Sequence, residues 1–569
     1  MVDTRSASGG DAAEARTLRA ASRPSGEGAP YIWTTSLAVV LVLVMLVGIV
    51  VLILVNGLRT FWPSPLVEVL LRDGTRYLGE VHAQEAKPQA QRTGRAGAPA
   101  EYRTKLKIGN RDLGAADFVW IDNASIKAQR PPSDALVFER LEYGNFYGRL
   151  KEVRAGERPV AGGGEEGIAT LRRFHRTAAG KRQKLDDLRR EQLNIRQPLT
   201  NLEREISALR GSRFAVSEEG AAELRRLEPQ LGPLQNQLNE KVRPLVVEQE
   251  RLRRDLEGLR VVMETANGKI ASIALADIVR VTQPNTMGMH HKVLHYLGKL
   301  IEFIWQQPRE SNTEGGVFPA IFGTVLLVFL MTIAVVPFGV VAAVYMHEYA
   351  RQGRLLRIVR VAVNNLAGVP SIVIGMFGLA FFVYGVGGTI DQLYYSRYLP
   401  TPTFGTGGIL WASLTLALLT LPVVIVASQE GLAAVPQAYR EASLALGTTK
   451  WQTIHRVVLP NATPGILTGI ILAISRASGE VAPLMITGVV KLAPSLAIDG
   501  SWPFLHLDRK FMHLGFHIYD VAMQSPNVEA AMPMVYSTTA LLLLLVLALN
   551  SVATIVRGKL RQRYAGSKL

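Results

Sequence analysis

Six apolar runs interrupt an otherwise polar chain, near residues 33–55, 318–344, 361–386, 408–428, 464–490 and 533–556. Each is about 20 residues or longer, enough to cross a hydrocarbon layer of about 30 Å as a helix. The first, WTTSLAVVLVLVMLVGIVVLILV, exceeds a signal-peptide core and is not followed by a small-residue cleavage site, so it reads as a retained signal anchor. Lys and Arg gather at Arg351, Arg354, Arg357 and Arg360, at Lys450 and Arg456, and in RGKLRQR after the last run. With alternating spans all three clusters fall on one side, which the positive-inside rule makes cytoplasmic, together with both tails (1–32 and 557–569).

Residues 56–317, between the first two runs, are polar and are therefore expected outside the cytoplasm. Short alternating stretches flank Asp73-Gly74 and Asn267-Gly268, dipeptides suited to type I′ hairpin turns, and KLKIGNRDLGAADFVWIDNASIKA and LVFERLEYGNFYGRLKEV give further strand pairs. Loosely repeated hairpins forming a small β domain are expected. Inside it, over about 168–264, a heptad runs through Leu185, Leu188, Gln192, Ile195, Leu199, Leu202, Ile206 and Leu209. It resumes at Leu224, Leu227, Leu231, Leu234, Leu238, Lys241, Leu245, Glu248, Leu252, Asp255, Leu259 and Val262. Two arms around one polar turn predict an antiparallel coiled-coil hairpin projecting roughly 60 Å at 1.5 Å per residue, either a docking arm or a spacer.

Composition supports a membrane protein: 48% of the 569 residues are hydrophobic and mean hydropathy is +0.17. The formal net charge of +16 divides between the exported region and the juxtamembrane clusters, so it reads as topology determinants and solvated helix faces, not nucleic-acid binding. With no cysteine, disulfides, thiolate metal sites and cysteine nucleophiles are excluded. No G-x-x-x-x-G-K-[ST] loop is present, so any use of ATP falls to another subunit.

Two features carry candidate chemistry. The fifth run, PGILTGIILAISRASGEVAPLMITG, holds Arg476 and Glu480 one helical turn apart. With Thr463 as N-cap and Pro464 as the first helical residue, Arg476 falls roughly 18 Å along the helix, near the membrane midplane. A charge there costs about 2.5–3.5 kcal/mol on insertion scales, so the pair is expected to face a bundle interior or an aqueous path. Either it is an ion pair locking helices, or Arg476 meets an anion that Glu480 holds or releases. Pro483 frees the carbonyl of Gly479 and predicts a kink beside Glu480; Pro370 and Ser371 in GVPSIVIG mark a second break.

The other feature is EGLAAVPQAYREASLALGTTKWQTIHRVVLP, spanning about 429–462. Pro436 suits the start of one short helix and Gly447 its stop; Thr448 or Thr449 caps a second that ends at Pro460. Ala442, Leu444 and Leu446 beside Arg440 and Glu441 fit a groove on another protein.

This loop resembles the EAA signature of ABC importer permeases, through Glu441, Ala442, Ser443, Gly447, then Leu459 and Pro460, with Ser443 in place of an alanine and Val457 in place of an isoleucine. Over about 315–560 the chain is similar to PstA-type permease subunits of bacterial phosphate importers, by VFPAIFGTVLLVFLM, NNLAGVPSIVIGMFGLAFFV, the loop and fifth run, and HLGFHIYDVAMQSPNVEAAMPMVYSTTALLLLL. The resemblance implies an all-α polytopic membrane protein of the type I ABC importer permease fold, six transmembrane helices, with the permease core at 318–556. It implies no catalysis by this chain and no bound cofactor. A PstB-like ATPase dimer would use ATP and Mg, beside a PstC-like second permease and an exported PstS-like phosphate-binding protein. It also implies a bacterial inner-membrane location, contact with membrane lipid and none with nucleic acid. Arg476, Gly479 and Glu480 match the segment linked to phosphate translocation in that family, with Ser371 as a further pathway candidate. Rival readings are a permease for another oxyanion or solute, and a membrane-anchored coiled-coil scaffold or sensor.

Overall fold

In the computed structural model, residues 29–87, 101–114, 116–211, 217–396, 399–500, 502 and 504–565 are described. Most of the N-terminal tail, residues 212–216 and the last four residues lie outside them. Among the described residues six helices are long and apolar enough to span a membrane: Trp33–Arg59, Phe318–Tyr349, Ser371–Tyr394, Ile409–Ala433, Lys450–Gly479 and Val528–Leu560. Spans two, four and five pack together through Leu327, Met331, Val335, Leu416, Val424 and Ala473, while span six lies against span one. Gly57 of the first span meets the backbone of Tyr536, and Ser537 Oγ donates to the Gly57 carbonyl at 2.9 Å.

Two spans differ from the hydropathy reading. Residues 361–367 belong to a separate amphipathic helix, Arg354–Ala367, because Gly368 ends it and Pro370 then caps the helix that opens span three at Ser371. Span five does not begin at Thr463 and Pro464, nor does the helix before it end at Pro460. One helix runs from Lys450 to Gly479. A widened π-type turn at Ile454–Val458 takes up the Pro460 ring, and Asn461 Nδ2 and Thr463 Oγ1 donate to the carbonyls of Val457 and Leu459.

Among the described residues the insert contains two larger sheets, besides a two-stranded ribbon of Pro308–Arg309 and Glu314–Gly315. β1 (Leu66–Leu71), β2 (Arg76–Ala86), β3 (Tyr102–Lys107), β4 (Phe118–Asp122) and β5 (Ile126–Arg130) pair in the order β4-β3-β2-β1-β5. A second set comprises β6 (Ala135–Arg140), β7 (Phe146–Ala155), β8 (Arg158–Gly162), β9 (Leu259–Glu264), β10 (Ile270–Ala274) and β11 (Ile278–Thr282). Its order is β10-β9-β7-β6-β11, with β8 on the side of β7. Substituting β6 for β1, β7 for β2, β9 for β3, β10 for β4 and β11 for β5 turns one order into the other. Even the short 3₁₀ turns before β5 (Asn123–Ser125) and β11 (Leu275–Asp277) correspond, so the repeated hairpins are two copies of one five-strand path. Leu66 and Leu78 of the first copy pack on Ala135, Val137 and Tyr147 of the second.

The two glycine turns are not of type I′, which requires positive φ at both central residues. Only Gly74 (φ 89°) and Gly268 (φ 76°) are left-handed, in three-residue loops closed by Leu71–Thr75 and Thr265–Lys269 hydrogen bonds. The Asp73 carboxylate accepts from Thr75 N at 2.9 Å, which favours this shape.

Between β8 and β9 two long helices leave and return, Glu165–Gly211 and Glu218–Glu257. Ala178, Leu185, Leu199 and Ile206 are buried along the first, and Leu238, Val242, Leu252 and Leu256 along the second. Leu238 and Leu252 of the second stripe are those read from the sequence, while at two polar heptad positions the next residue, Val242 or Leu256, faces inward rather than Lys241 or Asp255. Gln249 bonds Gln192 at 2.9 Å, while Glu248 and Asp255 flank the stripe in ion pairs with Lys184 and Lys181. Leu259 and Val262 lie in β9, where Gly258 has ended the helix and β-branched residues pair with β7 and β10.

Candidate functional site

At the end of the bundle opposite the insert, Pro436 caps the helix Gln437–Ala445, and Gly447 (φ 81°) reverses the chain. Thr449 then begins the next helix with a capping box: its hydroxyl accepts from Gln452 N, and Gln452 Oε1 accepts from Thr449 N at 2.9 Å. Ser443, where the EAA pattern has alanine, is buried. Its hydroxyl meets those of Thr448 (2.8 Å) and Thr453 (3.0 Å), tying the two helices at their turn. Glu441 and Ala442 are exposed; Leu446 is 85% and Trp451 60% exposed, forming an apolar patch beside Leu444. Leu459 and Pro460 are half-buried inside the long fifth helix and not on that patch.

Arg440 holds this loop to the bundle. Its guanidinium donates to Glu348 Oε1 from Nη2 (3.0 Å) and Nε (3.3 Å), and to the carbonyls of Val435 (2.6 Å) and Leu432 (2.8 Å). Glu348, on the last turn of span two, is a residue the sequence reading missed. Its signal was a carboxylate at the basic end of an apolar run.

Spans four and five run antiparallel in a register fixed by small residues. A Cβ on Gly465 would stand 2.5 Å from Gly431 Cα, and one on Gly469 would stand 2.6 Å from Ala427 Cβ. Continued, that register sets Arg476 level with Thr420, midway along Ile409–Ala433. Arg476 occupies the last turn of its helix, which stops at Gly479; Glu480 lies outside it in extended conformation (φ −78°, ψ 131°). Their separation is 3.6 Å, Nε to Oε1, and both are partly exposed on the surface of this chain. The expected kink is a complete break, and Pro483 opens a new short helix, Ala482–Thr487. Gly375, from the helix opened by Ser371, packs on Pro483 so closely that a Cβ would lie 2.7 Å from its Cα. The breaks in spans three and five are thus on neighbouring elements. Ser475 bonds Asn550 of span six (2.9 Å) and the Ile471 carbonyl, and Ser478 bonds the Ile474 carbonyl, so both hydroxyls serve helix packing.

At the insert end, Asp520 on the helix Leu514–Met523 is fully buried, paired with Lys491 (3.1 Å) and receiving Asn312 Nδ2 at 3.4 Å. Asn312 also donates to the Lys491 carbonyl (3.0 Å), and Arg111 of the insert pairs with Glu310 at 2.9 Å. The loop Glu310–Asn312, all three residues at positive φ, therefore joins insert to bundle. His513 and His517 are buried beside it, and burial pushes each imidazole down to about 4. Among the described residues no His, Asp and Glu group is arranged to hold a metal ion.

Residues 335–565 match the family model described as the inner membrane component of binding-protein-dependent transport systems. The probable ABC transporter permease protein YqgI of Bacillus subtilis is 34% identical over 238 residues, 40% of this chain and 74% of the relative. The phosphate transport system permease protein PstA of Yersinia pestis is 33% identical over 257 residues, 45% and 77% of the two chains. PstA 1 of Mycobacterium tuberculosis is 39% identical over 185 residues, covering 32% of this chain and 54% of that one. Among solved structures, a methionine ABC transporter (MetNI) aligns at TM-score 0.30 with 19% identity, covering 43% of this chain and 94% of that one. The chain belongs to the family of binding-protein-dependent transport system inner membrane components, as a multi-pass inner-membrane permease subunit of ABC importers that leaves ATP hydrolysis to a separate subunit.

Proposed function

We propose that this chain forms half of the translocation path of an ATP-driven phosphate importer, with Arg476 as the anion-meeting group. The observation that carries this reading is the place of the Arg476–Glu480 pair: level with the middle of span four, at a helix break, and partly exposed on the surface of this chain. At 3.6 Å the pair is longer than a charge-assisted hydrogen bond of about 2.7–2.9 Å, so a phosphate oxygen can compete for the guanidinium donors. Gly479 and Ser371 contribute the flanking helix ends of this pathway. The names of the relatives, phosphate transport permeases among them, support phosphate over other oxyanions.

The partners in this reading are a PstC-like permease facing Arg476, a PstB-like ATPase dimer using ATP and Mg, and a PstS-like exported binding protein. The ATPase receives Glu441, Ala442 and the apolar patch around Leu446, while Ser443, Gly447, Leu459 and Pro460 shape and transmit the coupling helix. The two long helices of the insert pack as a coiled-coil hairpin of roughly 60 Å, on the side where the binding protein docks. Labelled-phosphate uptake by cells carrying Arg476→Gln tests the path: uptake is lost while the complex still assembles. Wild-type uptake with normal assembly sinks the role of Arg476, and competition by sulfate or molybdate would shift the substrate to another oxyanion.

A further inference from the structure

The helix Met289–Trp305 divides its two faces between different environments. One face is already occupied. Lys299 Nζ pairs with Glu139 of the insert at 2.6 Å, and Glu302 is held by Arg280 (2.5 Å) and Arg309 (2.7 Å). Phe303 lies 5.1 Å from Phe61, and Tyr296 5.8 Å from Trp62, centroid to centroid. On the other face Met289, Val293, Leu297, Ile301 and Ile304 follow one another at spacings of three and four, flanked by Leu294 and Trp305, and all are exposed.

The height of this helix is fixed by its neighbours. Phe61 and Trp62 directly follow the end of span one at Arg59, and Trp305 stacks on Phe318, the first residue of span two, at 5.7 Å. These are the points at which the chain leaves and re-enters hydrocarbon. A helix touching both, about 25 Å long at 1.5 Å per residue, lies along the membrane boundary. Trp62, Tyr296 and Trp305 supply the aromatic side chains that favour that depth, and span one, like this helix, leaves its apolar surface unburied within the chain.

We infer that Met289–Trp305 is an interfacial helix whose apolar face is seated in the lipid leaflet on the insert's side, so that the membrane surface itself orients the insert. The occupied face carries the ion pairs to β6 and β11, and the seated face fixes their distance from the bilayer. This goes beyond the transport role and does not depend on the identity of the solute.

The chain has no cysteine, so single cysteines can be labelled without background. Full-length Leu297→Cys, Ile301→Cys and Lys292→Cys chains, assembled in their complex in phosphatidylethanolamine/phosphatidylglycerol nanodiscs, would carry an environment-sensitive fluorophore. Lipids with a nitroxide high on the acyl chain should remove most of the emission at 297 and 301 and little at 292. Quenching at 297 and 301 no stronger than at 292 overturns the inference. Protection of those two sites from both lipid nitroxide and aqueous iodide overturns it as well, because a second protein chain would then cover the face.

Discussion

The bond system of Arg440 ties the exposed loop to span two, and its removal should separate the two mechanically. In Arg440→Ala, the Glu348 carboxylate keeps His347 at 3.1 Å and its carbonyl keeps Lys450 Nζ, while the carbonyls of Leu432 and Val435 at the end of span four lose the guanidinium donors. Arg440 and Glu348 side chains are 13% and 10% exposed, so this is an almost buried pair. Breaking such a pair from one side costs about 3–5 kcal/mol; His347 and the residual water access bring the expectation to about 2–3 kcal/mol. Arg440→Lys keeps the charge but loses the fork that reaches three acceptors at once, and should recover less than half. Thermal unfolding of the purified complex measures the first effect. In proteoliposomes the second appears as more ATP hydrolysed per solute moved, because the loop no longer pulls span two. A double-mutant cycle with Glu348→Ala should give a coupling of about 1.5 kcal/mol or more. Additive effects, within about 0.5 kcal/mol, would refute the latch.

Leu446→Asp should leave the melting temperature within the small range of surface substitutions, about 0.5 kcal/mol, yet prevent co-purification of the ATPase, since Leu446 makes the centre of the patch. Gly465→Val should cost about 1–3 kcal/mol, read as a lowered melting temperature, because its Cβ has no room beside Gly431 Cα. His513 and His517 hold folded pKa values near 4 against about 6.5 unfolded, so the unfolded chain binds more protons between those values. Stability should therefore fall as pH drops from about 6.5 towards 4 and level off below, by about 3 kcal/mol for each histidine; a melting curve series shows it, and His517→Gln should remove half the slope. Leu136, Phe138 and Phe146 of the second sheet share a core with Ile168, Leu171, Leu185, Leu252 and Leu256 at the roots of the long helices, so a deletion that keeps those roots and β8, replacing 196–243 by a short turn, should leave both sheets folded by circular dichroism of the chain. If the helices are a docking arm, the same deletion reduces uptake at limiting binding protein.

The legible parts of this molecule are those decided by local pattern. Twenty apolar residues can only be a span, and a charge among them, such as Arg476, is conspicuous in any hydropathy profile. Hairpins were visible from Asp73-Gly74 and Asn267-Gly268, but not their geometry, because Asp73 reaches Thr75 N and thereby keeps one φ negative. In the second long helix, Val246 and Val247 compete with Val242 as apolar markers, and three prolines blur the period. The partner decided instead: Gln192 meets Gln249 rather than Glu248, so the polar positions of the reading shift by one residue while Leu238 and Leu252 stay in the stripe. Glu348, Asn312 and Asp520 were illegible for a different reason. Their partners lie 92 residues away for Glu348 and 208 apart for Asn312 and Asp520, distances at which no periodicity carries information.

The helix break at Gly479 gives Arg476 its electrostatic setting. A continuous helix would have kept the carbonyls of its last turn bonded, and Arg476 would have faced lipid or Glu480 alone. Ending at Gly479 leaves carbonyls of the last turn without intrahelical partners, and a helix C-terminus attracts a cation, so the backbone as well as Glu480 offsets the charge of Arg476. Glu480, extended and outside the helix, consequently shares with the backbone the task of offsetting that charge. It can swing away without leaving an uncompensated charge, which an i, i+4 pair locked within a continuous helix could not do. Glu480→Gln should for that reason retain assembly better than Arg476→Gln, and a reversal of that order in co-purified subunit yield would mean that the pair is a structural lock.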